Sequence, residues 1–406
     1  MVSREEGGAN MDTTGRMAMR KIGDYPGVSR AYLDLVRSYS SPMLLGPPVC
    51  DELVALVEHM FTAEEAEIAR HIKPWRPKTA GSIAAAEGRP PSEVKEILRR
   101  LAHEKYVLAS FGEGDKERFA ILPILPGTFE HVLVRESTES VTPWHRRFAE
   151  LFEALFLTEF TTAYSHRPVN AIRFLPVGEA VQALPMALPS ERLGEIMGHY
   201  NDFAIGVCQC RLTKELLGEG CGRMLEVCTV MGDFAPLLVK EGRMRQASRK
   251  DVLEVKAAAE KEGLVTWVMN DESTKFFRCA CSCCGCCCNA LRQISQFNAP
   301  GFIAPPHFLP VIDLAACDYC GKCAMACTMQ AMEVSKEGEA KRHIHKLERC
   351  IGCGVCVVTC PEKALSMREV PGYEKPPSGY AAYVAKYGRN FVANGFRVLA
   401  ERLRSA

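Results

Sequence analysis

The chain has 406 residues, of which 47% are hydrophobic and 24% charged, with a formal net charge of +1. This length accommodates two or three domains of about 100–200 residues, and the balanced charge excludes a global field that would pull the molecule toward nucleic acid or acidic lipid. No run of about 18 apolar residues marks a membrane span, and Met1–Arg20 lacks the apolar core of a secretory signal, so a cytoplasmic location is expected.

Residues 1–48 read as a disordered tail and lead-in. From 49 to 125 the pattern is that of one small unit. A helix is predicted over Cys50–Phe61, with Leu53, Leu56, Val57 and Met60 on one face. Thr62 and Glu65 form a capping-box signature for a second helix through Ile72. Thr79–Ala86 and a Gly88–Pro91 turn lead to a helix over Ser92–Glu104, whose apolar set is Val94, Ile97, Leu98 and Leu101. Tyr106–Ser110 and Arg118–Leu122 alternate as strands around the Gly112–Asp115 turn. In this order the segment resembles a winged helix, which implies that Ser92–Glu104 is the groove helix of a DNA reader. The charges oppose that role: residues 49–125 hold eleven Lys and Arg against thirteen Asp and Glu, a net of −2. Duplex DNA demands a basic footprint. A docking or structural role is expected instead.

Residues 126–310 form the next predicted unit. A helix over Pro143–Tyr164 carries aromatics at every fourth position (Trp144, Phe148, Phe152, Phe156, Phe160), a stripe that suits a core or interface. Ala171–Val177 reads as a strand, Ser190–Asn201 and Ser248–Glu262 as helices, and Leu264–Met269 as a strand. Beyond the cysteine-rich region, residues 371–406 comprise a Pro/Gly-rich linker and a helical tail in which Val392, Phe396, Val398 and Leu399 are expected to pack. The fold class expected is α+β.

Cysteine is the outlier. Twenty are present and nineteen lie at or beyond Cys208. Many cysteines in a short secreted chain form disulfides. Here they crowd into local clusters, some adjacent, and neighbouring thiols converge poorly on separate disulfides but well on one metal centre.

Within residues 311–370, Cys317, Cys320, Cys323 and Cys327 form C-x2-C-x2-C-x3-C, and Cys350, Cys353, Cys356 and Cys360 repeat it, followed by Pro361. Two-residue gaps let a tight loop wrap three thiolates around one cubane, while the fourth cysteine starts a short helix and points away. The stretch from Val311 to Met367 resembles bacterial two-cluster ferredoxins. That resemblance implies a pseudo-symmetric β–α–β repeat and two 4Fe–4S clusters that carry electrons. One would take Cys317, Cys320, Cys323 and Cys360; the other would take Cys350, Cys353, Cys356 and Cys327. Gly321, Gly352 and Gly354 suit the close backbone approach of such loops. Thr328 stands where the first half of a ferredoxin usually has proline.

Upstream, Cys208 and Cys210 (C-x-C) are followed by Arg211, then Cys221 and Cys228, enough thiols for one cluster or one zinc ion, with reduced core cysteines as the remaining alternative and Arg211 placed to offset thiolate charge. Cys279, Cys281, Cys283, Cys284, Cys286, Cys287 and Cys288 are seven cysteines in ten residues. Cys283–Cys284–Gly285 matches the CCG element of heterodisulfide-reductase-type subunits over three residues. The order C-x-C-R, then C-x-C-C-G-C-C-C, then a ferredoxin pair resembles multi-cluster ferredoxin-like proteins of anaerobes over Gly206–Met367. It implies one or more further iron–sulfur clusters beyond the ferredoxin pair.

Three functions fit these motifs. The first is single-electron transfer to or from a partner redox enzyme. The second is a reductase in which an upstream cluster offers an open iron site to substrate. The third is a redox-sensing winged-helix regulator, which the acidic balance of residues 49–125 disfavours. No dinucleotide fingerprint, P-loop or haem motif is present. His307, His343 and His345 lie near the motifs and read as surface or packing residues.

Overall fold

The computed structural model describes residues 19–181, 184, 187–188, 192–272, 278–337 and 340–404. Apart from residues 19 and 20, the Met1–Arg20 lead-in is outside them. The architecture is mixed α+β. The first helix, α1 (Arg30–Tyr39), is one that the sequence pattern did not disclose. It alternates charge and apolar residues, yet Ala31, Leu35, Val36 and Tyr39 recur at helical spacing and are all buried. α2 (Asp51–Met60) buries the predicted face of Leu53, Leu56, Val57 and Met60. α3 (Ala63–Ala69) starts at a reciprocal capping box, Glu65 N–H donating to Thr62 Oγ1 at 3.3 Å and Thr62 N–H to Glu65 Oε2 at 2.8 Å. It stops three residues short of Ile72.

β1 (Lys78–Thr79), α4 (Ala80–Glu87) and α5 (Pro91–His103) lead into β2 (Ala109–Phe111) and β3 (Arg118–Ala120), giving an antiparallel sheet of order β1-β3-β2. α6 (Phe129–Leu133) and α7 (Pro143–Leu157) complete this half. Along α7, Trp144, Phe148, Phe152 and Phe156 stack at centroid separations of 5.9, 6.5 and 6.2 Å, with the three phenylalanines buried in the core shared with α1–α5. The helix ends before the predicted Tyr164, because Glu159 enters the left-handed region at φ 60° and the chain continues as a 3-10 turn over Phe160–Ser165.

The middle of the chain builds one antiparallel sheet of six strands, in the order β4-β8-β9-β6-β5-β7. Its elements are β4 (Ile172–Phe174), α8 (Gly178–Val181), α9 (Leu193–Met197), β5 (Phe203–Gly206), α10 (Gln209–Leu216), β6 (Cys228–Met231), α11 (Phe234–Lys240), β7 (Arg245–Ala247), α12 (Arg249–Lys261), β8 (Val265–Met269), β9 (Arg278–Cys283) and α13 (Asn289–Ser295). Ser190, where a helix was expected to begin, is outside the described residues. β9 lies at the centre, between β8 and β6, so a cysteine-rich strand is flanked on both sides.

The carboxy-terminal part is two interleaved β–α–β units. β10 (Phe308–Ile312), α14 (Lys322–Ala326) and β11 (Met332–Glu337) form one; β12 (Ala340–His345), α15 (Val355–Val358) and β13 (Leu365–Glu369) form the other. β10 pairs with β13, and β11 with β12. α16 (Tyr380–Arg404) closes the chain. It attaches by polar contacts: Asn394 exchanges two 3.0 Å hydrogen bonds with the Arg167 backbone, and Tyr383 Oη donates to the Val169 carbonyl at 2.8 Å. Of the four apolar residues expected to pack, Val398 is buried, whereas Val392, Phe396 and Leu399 are exposed. No described helix is long and apolar enough to cross a membrane.

Candidate metal centres

The two ferredoxin-spaced loops are conformational copies. Cysteines recur at an offset of 33 residues, and so do the left-handed backbone positions: Tyr319 with Gly352, Gly321 with Gly354, Gln330 with Lys363. Gly321 and Gly354 each cap the following short helix at φ 74° and 72°. Gly352 is also sterically required, since a Cβ there would sit 2.4 Å from the Phe308 carbonyl oxygen. Tyr319, its counterpart, accepts the strain with φ 60°.

The thiols group across the two halves. Cys327 lies near Cys350, Cys353 and Cys356, Cys323 lies near Cys317 and Cys360, and Cys356 and Cys323 are also neighbours across the two loops. Backbone N–H groups point at sulfur, with Tyr319 N–H 3.4 Å from Cys317 Sγ and Ala331 N–H 3.2 Å from Cys327 Sγ. Burial pushes the thiols of Cys350 and Cys353 up to about 11 and about 12. Buried thiols that cannot ionise alone are suited to a metal, which deprotonates its thiol ligands outright. This donor set fits cubanes.

Upstream, the topology regroups the cysteines. By segment, Cys208, Cys210, Cys221 and Cys228 were expected to stand together. Instead, Cys221 lies apart with Cys284, Cys286 and Cys287, all four Sγ within 4.8 Å of one another. The other three join a second group through thiol contacts that run Cys208–Cys210–Cys288–Cys283–Cys281–Cys228. The reason is sheet register. Cys228 opens β6 beside β9, where Thr229 faces Ala280 and Val230 faces Cys279. Alternate residues of a strand share a face, so Cys279, Cys281 and Cys283 project together. Cys208 and Cys288 occupy the N-cap positions of α10 and α13, which brings their thiols to the same end of that sheet face.

Two buried cations sit among these thiols. Arg211 is 1% exposed; one of its nitrogens (Nη1) donates to the Ser282 carbonyl at 3.0 Å and lies 3.9 Å from Cys284 Sγ. Burial pulls its pKa down, but the neighbouring Cys208, Cys283 and Cys284 more than offset this and hold it above the ordinary value. Lys256, 2% exposed, donates to the Val227 carbonyl at 3.0 Å and to Ser282 Oγ at 3.1 Å. Burial lowers its pKa, opposed by Cys281, Cys228, Cys283 and Cys279. Buried charge is tolerated only when paired. Contacts from Cys210 and Cys283 in turn hold Cys288 below the ordinary thiol value.

Both thiol-bearing helices are pinned by one buried carboxylate. Glu153 of α7 accepts from Arg292 of α13 at 2.7 and 3.0 Å and from Lys214 of α10 at 2.8 Å. The upstream loop also touches the ferredoxin module: Gly285 N–H donates to Thr328 Oγ1 at 2.7 Å, and a Cβ on Gly285 would overlap the Thr328 carbonyl. Cys283 and Cys288 share an apolar core with Ile351 and Val355, against which Cys281, Cys327, Cys350 and Cys353 pack.

Sequence reading did not anticipate Lys256, Glu153 or Arg223, which belong to no motif, or the contact made by Thr328. His343, expected to be a surface or packing residue, places its Nε2 3.4 Å from Cys323 Sγ. The departure from proline at position 328 was the one available signal for the Gly285 contact.

Comparison with curated proteins and with solved structures gave no match. Residues 316–364 match the 4Fe-4S dicluster domain family, a segment that holds all eight ferredoxin-spaced cysteines, so the chain is an iron–sulfur protein.

Proposed function

We propose that this chain is an electron-transfer protein whose ferredoxin module works in series with a further cluster held upstream. In this reading Cys317, Cys320, Cys323 and Cys360 hold one 4Fe–4S cluster, and Cys350, Cys353, Cys356 and Cys327 hold the other. Such clusters supply one-electron chemistry at potentials set by hydrogen bonds to sulfur, burial and charge. The protein's own contribution is to shield and space the ligands and to direct N–H groups at them.

The observation that carries the reading is the apolar core in which Cys283 and Cys288 of the six-thiol group pack with Ile351 and Val355, against which Cys327, Cys350 and Cys353 lie. The Gly285–Thr328 hydrogen bond, beside Cys284 and Cys286, adds a second contact between the upstream cysteines and the module. We assign Cys208, Cys210, Cys228, Cys281, Cys283 and Cys288 as the donor pool for the further cluster, with Arg211 and Lys256 balancing its charge. The acidic 49–125 unit, winged-helix-like in element order, then serves docking to a redox partner rather than DNA binding, in a cytoplasmic, anaerobic setting.

Anaerobic purification with metal and sulfide analysis tests the assignment. At least about eight iron and eight acid-labile sulfide are expected, about four of each per cubane. Cys208→Ser with Cys210→Ser should lower iron and sulfide further while leaving the ferredoxin EPR signals. Protein without sulfide refutes the cubanes, and a double variant with unchanged iron and sulfide refutes the upstream cluster.

A further inference from the structure

Cys221, Cys284, Cys286 and Cys287 differ from the other thiols in how tightly they converge. All four Sγ atoms lie within 4.8 Å of one another. Cys221 is 3.9 Å from Cys284, and Cys286 is 3.7 Å from Cys287. A zinc-type ion bonds four thiolates at about 2.3 Å in a tetrahedron, which separates the sulfurs by about 3.8 Å along each edge. A cubane instead seats each thiolate outward on its own iron, so its four ligand sulfurs stand farther apart. The molecule carries its own control for this distinction. Among the described residues, neither the eight ferredoxin-spaced cysteines nor the six-thiol group contains three donors within the same limit.

Charge fits an anionic metal–thiolate centre at this set. One divalent ion with four thiolates carries a net charge of about −2. Two guanidinium groups face this set: Arg211 lies 3.9 Å from Cys284 Sγ, and Arg223 lies 3.9 Å from Cys286 Sγ. Arg211 is buried, and its Nε and Nη2 atoms have no hydrogen-bond partner among the described residues. A buried guanidinium lacking oxygen partners on two nitrogens calls for an anionic neighbour. Cys286 is exposed, so an ion can reach the set from solvent.

We infer that Cys221, Cys284, Cys286 and Cys287 bind a single tetrahedral metal ion of the zinc class, separate from every iron–sulfur cluster. The ion pins the Cys221 loop to the turn that joins β9 to α13. Since α13 begins at Cys288, the pin also fixes one donor of the neighbouring six-thiol group. The inference does not depend on electron transfer, because the ion itself has no redox task.

The test uses the full-length protein, purified anaerobically and supplied with zinc. X-ray absorption at the zinc edge should show one equivalent per chain with four sulfur neighbours at about 2.3 Å and no metal–metal scattering. A lone iron with the same four-sulfur shell, and no sulfide assigned to it, also supports single-ion coordination. Cys221→Ser with Cys286→Ser should lose that one equivalent and keep its iron, sulfide and ferredoxin EPR signals. Loss of iron and sulfide together from this variant in native-like, soluble protein overturns the inference. Should the variant misfold, cobalt exchange into the wild-type protein decides: one equivalent giving the visible bands of tetrahedral cobalt thiolate supports the site, and none overturns it.

Discussion

The ferredoxin module and the upstream cysteine domain solve the same problem, gathering thiols, in opposite ways. In the module, three ligands of each set come from one short loop, and the loop is repeated 33 residues later with the same left-handed positions. In the proposed ligation three thiols of each set are therefore neighbours in sequence, and only Cys327 and Cys360 cross over. In the upstream domain the partners come from strand register and helix ends, so Cys221 pairs with Cys284, 63 residues away, rather than with Cys228. The upstream groups need the sheet, two helices and buried counter-charges.

That contrast is most exposed at Arg211, which belongs to neither thiol group alone. If the nearby thiols are metal-bound thiolates, Arg211→Met strands their negative charge and should cost about 3–5 kcal/mol of stability in anaerobic denaturant unfolding. Metal should be lost upstream, with the ferredoxin EPR signals retained. If the thiols are neutral, the same change removes an uncompensated buried cation and should stabilise the protein. The sign of the effect decides.

Glu153 comes next, because it ties α10 and α13 together. Burial alone would raise its pKa, but the hydrogen bonds from Arg292 and Lys214 together outweigh burial and hold it below the ordinary carboxylate value. A depressed folded pKa contributes stability that is present above the unfolded value, about 4.3, and is lost as pH falls through the folded value. Glu153→Gln should therefore lower stability near neutral pH by up to about 3–5 kcal/mol and flatten the acid limb of the stability curve below about pH 4.3. A variant with an unchanged acid limb would show that other carboxylates govern acid sensitivity.

How much of this was legible in the sequence follows from the same contrast. The helical face of Leu53, Leu56, Val57 and Met60 and the Thr62–Glu65 capping box were readable, because helix geometry couples residues three and four apart. The ferredoxin-spaced motif was readable because its spacing is local, and residues 316–364 match the 4Fe-4S dicluster domain family. α1 escaped because its apolar positions sit among charges and no capping box marks its start; Ser29 is its N-cap but makes no side-chain cap bond. The regrouping of Cys221 escaped because β6–β9 register is a long-range property, and a one-residue slip would have reversed every cysteine in β9. Arg211 was legible as a charge beside thiols; the burial that makes it consequential was not.

Thr328 tests whether the two regions communicate where they touch. Thr328→Val keeps the shape and removes the acceptor for Gly285 N–H, and an orphaned buried donor costs about 1–3 kcal/mol. Cluster content should stay intact, while rapid-freeze EPR should show slower electron exchange between the upstream centre and the ferredoxin pair. Equal rates in the two proteins would locate the route elsewhere.

The smallest expected effect lies wholly inside the module and separates ligand holding from tuning. His343 Nε2 is 3.4 Å from Cys323 Sγ, and burial keeps the imidazole pKa below its ordinary value, so the ring is neutral at pH 7. With its proton on Nε2, the ring donates to the thiolate and favours the more reduced, more negative cluster. His343→Leu removes that donor without touching a ligand. A neutral hydrogen bond contributes about 0.5–1.5 kcal/mol, and a one-electron potential moves about 59 mV for each tenfold change in equilibrium constant. The potential of the centre held by Cys317, Cys320, Cys323 and Cys360 should therefore fall by about 20–60 mV, with that of the other centre unchanged. EPR-monitored redox titration of both proteins makes the comparison. A shift in both centres would mean that the substitution relaxes the whole module, and no shift in either would return His343 to a packing role.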